Sequence, residues 1–245
     1  MGFLDFLTRQ GDSRSTAGPD FQPLAWSGGS STRLVHRLLE VPVPDRNPAW
    51  TRQFLGHVGD AAFFLRLPHI VQGSEPFPYF ALYSTPGEQP YPGHVLHHMK
   101  DDFMLDQGLG AVINPQGEEA DWAFSYGDLL HYHLYGAFYP PVPGAAAPAG
   151  RPELAPGDRL PGPARQVMRA FLGRLGVREP RVRLAAWDHA GPGSLELLFS
   201  FSPREFRDLE AFRFAMNNLS WFLPRHYSYS VAGNQARTEG GFEPL

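Results

Sequence analysis

Thirty residues, Gly108 to Ala137, constrain this chain more than any other stretch: GLGAVINPQGEEADWAFSYGDLLHYHLYGA. A short apolar run meets Asn114-Pro115-Gln116-Gly117, a second apolar run follows, and Ser125 opens a segment dense in Tyr and His. Asn, Pro and Gly supply the fixed and left-handed φ values that a tight reversal needs. Strands are therefore predicted at 109–113 and 121–125. Ser125 with Asp128 three residues on has the form of a capping box, Asp standing where Glu or Gln is commoner. A helix to about 136 follows from it.

The same signals organise the rest. Leu34, Val35, Leu38 and Leu39 recur at helical spacing over 31–40. Asn47 before Pro48 reads as an N-cap with proline at the first helical position, opening a helix that carries Trp50, Phe54, Leu55 and Val58 on one face and ends at Gly59-Asp60. AAFFLRL (61–67) and FPYFALYS (77–84) read as strands across a Pro-rich connection. HVLHHMKDDF (94–103) is best read as a helix burying Val95, Leu96, Met99 and Phe103. Later come a helix at 165–175, strands at 181–187 and 194–201 turned by Gly191-Pro192-Gly193, and a helix opened by Ser202-Pro203-Arg204-Glu205 that runs to about 220. RHYSYSVAG (225–233) alternates as a last strand.

Helices interleaved irregularly with strand pairs predict an α+β protein of two small domains, each a largely antiparallel sheet packed with helices. Composition sets the divisions. Half of the residues from Pro140 to Pro163 are Pro or Gly, the signature of a linker. The expected layout is an N-terminal segment, mostly loop, at 1–30; an α+β domain at 31–139; a Pro/Gly/Ala-rich linker at 140–163; a second α+β domain at 164–233; and a flexible tail at 234–245.

The chain has no cysteine, which excludes disulfides, thiol catalysis and Cys-ligated zinc or iron–sulfur centres within it. A net charge of −4 argues against a nucleic-acid partner. The first residues, MGFLDFLTRQGD, lack the basic start and long apolar core of a secretory signal. No run reaches transmembrane length. A cytoplasmic protein without a membrane span is expected.

Over roughly residues 45–230 the chain resembles the enhanced-serine-sensitivity, or SseB-type, family of bacterial proteins. The likeness rests on NPAWTRQFLGHV leading into AAFFLRLP, then PFPYFALYST, GLGAVINPQ and the helix-opening SYGDLL, with GVREPRVRLAAW and LELLFSF similar to that family's second domain. The Pro-rich linker, the histidine clusters and the aromatic final strand depart from the family's pattern. The resemblance implies a two-domain α+β protein without an established enzymatic activity, related to stress or secretion functions. It supplies no catalytic residues.

Two groups of residues are candidate sites. His94, His97, His98, Asp101 and Asp102 fall on one stripe if 94–103 is helical, and imidazoles and carboxylates three and four residues apart can share a metal ion. The alternative is the solvated face of an amphipathic helix. Tyr132, Tyr135, Tyr227 and Tyr229 are core rings or a protein-binding surface, since Tyr enriches at interfaces. His131 and His133 diverge by roughly 160° on a helix, each residue turning about 100°; His133 shares the arc of Leu129, Leu130 and Leu134, so it is expected buried.

G-x-S-x-G is missing, and no G-x-x-x-x-G-K-[ST] or G-x-G-x-x-G follows a strand. The residues therefore favour a non-enzymatic protein-binding adaptor or regulator with no cofactor. Its partner is an unidentified protein or a second copy joined through a strand edge. The competing reading is a metal-dependent enzyme or metal sensor using a divalent transition metal on the His94–Asp102 stripe.

Overall fold

The computed structural model describes residues 29–73, 76–86, 93–117, 119–138, 156–186, 195–232 and 241–245. Its class is α+β, with helices packed on small sheets. Contacts gather the described residues into two units, one taking 29–104, 109–124 and 137–138, the other 105–108, 125–136 and 156 onward. The sequence assigns all of 31–139 to one domain. The helix at 126–135 instead groups with later residues because it packs against the helix at 209–222. Most of the expected linker and the Gly191-Pro192-Gly193 turn lie outside the described residues, as does nearly all of the expected N-terminal segment.

The first unit begins with α1 (Ser30–Leu39), which buries Thr32, Val35 and Leu39. α2 (Pro48–His57) starts where Asn47 predicts, its side-chain oxygen accepting from the N–H groups of Ala49 and Trp50. The strand expected over 61–67 shrinks to β1 (Ala62–Phe63) and one bridge from Phe64 to Tyr83. Pro68, with no N–H, cannot extend the pairing.

Short pieces follow: β2 (Ile70–Gln72), β3 (Pro78–Leu82), β4 (His94–Val95), β5 (Gly110–Ile113) and β6 (Trp122–Phe124). The main sheet runs β2-β3-β5-β6, with β3 and β5 parallel and the outer pairs antiparallel, while β1 pairs separately with β4. Successive strand residues point to opposite faces. One face carries Phe80, Trp122 and Phe124, which meet Phe103 and the α2 rings Trp50 and Phe54 at 4.9–6.4 Å along the cluster.

The predicted helix at 94–103 is broken up. His94 and Val95 form β4, α3 covers Leu96–Met99, a π turn covers Lys100–Met104, and α4 is Leu105–Gln107.

In the second unit α5 (Tyr126–Tyr135) has the predicted capping box and ends at Gly136, φ +68°. α6 (Gly162–Arg174) precedes β7 (Arg181–Ala186), which pairs antiparallel with β8 (Leu195–Phe199). The Ser202 capping box closes on a single 3₁₀ turn, Pro203–Glu205. Phe206 then adopts extended backbone, buried against Phe201 and Phe212 at 5.5 and 5.4 Å, and this pulls the chain out of the helix. Asp208 restarts it as α7 (Leu209–Phe222), accepting from Ala211 N–H. β9 (Ser228–Val231) returns parallel to β8. Where a flexible tail is expected, β10 (Glu243–Pro244) pairs with β7 and Leu245 is buried.

Candidate functional site

Asn114, the centre of the predicted turn, has φ +49°, a conformation Asn tolerates better than most residues. Its amide donates to Ser84 Oγ at 2.9 Å and Asp121 Oδ2 at 2.8 Å, and its carbonyl accepts from Ser84 N–H. Asp121 in turn is paired with Arg46, whose guanidinium also donates to the carbonyls of Val41 and Asp121 and lies 4.7 Å from the Trp50 ring. Every group here is engaged by another. The network ties β3, β5, β6 and the 41–46 loop together, and it offers no activated nucleophile.

The metal-stripe residues do not converge. His94 is on β4 opposite Phe63, ahead of the helix, and His97 and His98 are exposed beside each other, ring centroids 5.3 Å apart. The π turn widens the spacing that would have stacked Asp101 and Asp102 below them. Asp101 is instead paired with buried Lys100. Among the described residues no group of three or more His, Asp or Glu is placed to hold a metal ion. Desolvation lowers the pKa of His94, and the charge of His69 adds to it.

The histidines on α5 reverse their expected places: His131 is fully buried and His133 is exposed. The amphipathic assumption fails because the first two turns, Tyr126 to Tyr132, are buried on every side. His131 lies against the rings of Tyr135 at 4.6 Å and His226 at 5.3 Å.

The four tyrosines separate too. Tyr132 is buried. Tyr135 reaches His226 Nε2 at 3.5 Å, while Tyr227 and Tyr229 donate to the carbonyls of Arg159 and Met216 at 2.9 and 2.7 Å. Those hydroxyls serve packing within the second unit. Burial pushes the Tyr126 phenol far above its ordinary range, and its hydroxyl donates to Leu105 O.

A pocket that sequence reasoning missed lies on the other face of the β2-β3-β5-β6 sheet. Val71, Tyr79, Ala81, Tyr83, Val112 and Ala123 share that face by strand alternation. The Tyr79 ring has room because the positions on both sides of it are glycine: a Cβ on Gly73 or Gly110 would stand 2.8 Å from its carbons. The Arg66 guanidinium lies over the Tyr83 ring, 4.4 Å from its centroid. The resulting hollow is about 220 Å³, with small apolar residues between two tyrosine rings and Gln72 and Glu119 at the margin. Among the described lining residues Glu119 is the single carboxylate, and no histidine, serine or lysine stands beside it. Such a surface can seat an apolar group, and its described lining holds no acid–base pair. Most of these positions fall in predicted strands, while Val71 lies in the Pro-rich connection expected between two of them; the sequence carries no sign of which sheet face no described helix covers.

No helix among the described residues is long and apolar enough to cross a membrane. No family model, curated protein or solved structure matches the chain.

Proposed function

We propose that this chain is a non-enzymatic adaptor or regulator that binds another protein. The observation that carries the reading is the tyrosine-walled hollow on the first unit's sheet. Interface anchors are typically large apolar or aromatic side chains received in such hollows, with a polar margin around them. Its position also suits a partner strand. Among the described residues β2 is an edge strand, and Val71 and Gln72 both border the hollow, so a segment added along β2 would bring alternate side chains over it. The likeness of residues 45–230 to the SseB-type proteins supports the same class of role and suggests a stress or secretion context.

The test is quantitative affinity capture with the wild-type chain and with Ala123→Glu. Ala123 is exposed, so a carboxylate there alters the hollow without entering the core. The reading expects specific partners lost from the variant while its thermal midpoint is unchanged. Identical recovery by both proteins would sink it.

A further inference from the structure

The last five residues, Gly241–Leu245, make a second surface informative. They lie along the outer edge of β7, Glu243 opposite Val182 and Pro244 opposite Arg181, with Leu245 N–H donating to Pro180 O at 3.1 Å. This edge would otherwise present unpaired N–H and C=O groups to a strand. The occupant is recognised in three ways. Its backbone extends the sheet, its acid meets a built cation, and one aliphatic side chain is buried. Arg165 on α6 is fixed by Nε donating to Leu160 O at 2.8 Å, which turns its other nitrogens outward. They take Glu243 Oε2 at 2.8 Å and Pro244 O at 3.1 Å. Leu245 is 1% exposed.

The fit is incomplete. β10 has two residues, one of them a proline without an N–H. The Glu243 side chain remains 63% exposed, and a cavity of about 150 Å³ persists beside the segment, lined by Leu160, Arg165, Val182, Leu184, Leu197 and Glu243. This cleft opens to solvent, so the segment does not fill the edge it pairs with. Local opening of a protein spans free energies from near zero up to the global value, and short edge elements can open below the global value.

We infer that the β7 edge, Arg165 and this cavity form a groove for an extended partner segment, and that Gly241–Leu245 is its resident occupant in cis. The partner is a strand of another protein carrying an acidic residue to face Arg165 and a bulky aliphatic residue two positions later. It adds to the sheet by main-chain pairing, with side chains giving specificity. The cis segment competes with it, so the groove is available only in the fraction of molecules whose segment has lifted.

The probe is a fluorescent synthetic peptide of sequence GGFEPL, read by polarisation. The proteins are the full chain, the full chain with Glu243→Lys and Leu245→Asp to evict the cis segment, and the evicted chain with Arg165→Ala added. Eviction is expected to tighten peptide binding about ten-fold or more, the effect of removing an occupant present nine-tenths of the time. Arg165→Ala and a GGFEPD peptide should each abolish that gain. A folded evicted chain that does not bind the peptide, or binds it no better than wild type does, overturns the inference. So does loss of cooperative unfolding in the evicted chain, because the segment would then be part of the core.

Discussion

Asp128 and Arg225 meet in a two-point contact, Arg225 Nε to Oδ1 at 2.7 Å and Nη2 to Oδ2 at 2.8 Å. The same carboxylate closes the α5 capping box by accepting from Ser125 N–H at 3.0 Å. One side chain thus both starts a helix and pairs the turn after α7 with that start. The partners differ in exposure, the Asp128 side chain being 4% exposed and Arg225 65%. Removing Arg225 loses a pair screened by solvent on the Arg225 side only and leaves the buried Asp128 carboxylate with the Ser125 N–H, about 1–2 kcal/mol. Removing Asp128 loses a helix cap as well, so Asp128→Ala should cost about 2–3 kcal/mol. Urea unfolding of both variants checks this, and an Asp128→Ala cost no greater than that of Arg225→Ala would refute it.

Acid should weaken the first unit at β1. His36 donates from Nε2 to Ala62 O at 3.0 Å and lies 5.9 Å from Phe63, and His94 pairs across from the same Phe63. Desolvation lowers both pKa values. It outweighs the Ala62 carbonyl and Glu40 for His36, and for His94 it acts with the charge of His69. A base whose folded pKa is depressed binds fewer protons folded than unfolded. Stability is then complete above the ordinary histidine range near pH 6.5 and is lost as pH falls through the folded values. Denaturant midpoints should fall between pH 7 and pH 5, and a His36→Gln/His94→Gln variant should show a flatter profile. An unchanged profile in that variant would rule these two residues out as the cause.

What the sequence made legible was local. Asn47-Pro48 and Ser125 with Asp128 declare helix starts because capping is settled within four residues. The apolar run at 109–113 and the alternation over 181–187 declare strands within similarly short spans. Three things were hidden. β2 and β10, at three and two residues, are too short to show a period. The π turn at Lys100–Met104 has no compositional mark, so five polar residues read as one stripe. The fate of His131 against His133 was decided by α7 and the 224–227 turn, far away in sequence. The hollow between Tyr79 and Tyr83 was hidden in another way: Gly73 and Gly110 look like strand weaknesses until the ring between them is seen.

Asn114 allows strain and hydrogen bonding to be separated. Asn114→Gly keeps the left-handed φ freely but removes the contacts to Ser84 and Asp121. Its cost should be about 1 kcal/mol or somewhat more, since the half-buried Ser84 and Asp121 each lose bonds to the amide. Asn114→Ala loses the same contacts and must also hold φ +49°, which adds about 1 kcal/mol. Equilibrium unfolding should rank wild type above Gly above Ala. Equal Gly and Ala variants would mean that the turn relaxes out of the left-handed region.

Two glycines in helices should respond to alanine with opposite signs. Gly127 is in the first turn of α5, where its Cα faces the chain just after α7: a Cβ there would stand 2.1 Å from Leu223 O and 2.5 Å from Leu223 C. Those are backbone atoms, so no rotamer change relieves the overlap, and α5 and α7 would have to separate. Gly173, near the end of α6, has nothing within 4 Å of an added Cβ. Alanine at Gly173 gains helix propensity and loses unfolded-state freedom, which should stabilise by about 0.5–1 kcal/mol. Alanine at Gly127 gains the same propensity but should still destabilise by about 2 kcal/mol or more, because overpacking against fixed backbone exceeds it. Thermal or urea unfolding of the two single variants decides the matter. A stabilised Gly127→Ala would mean that the close approach of α5 to Leu223 is not what holds these helices in place.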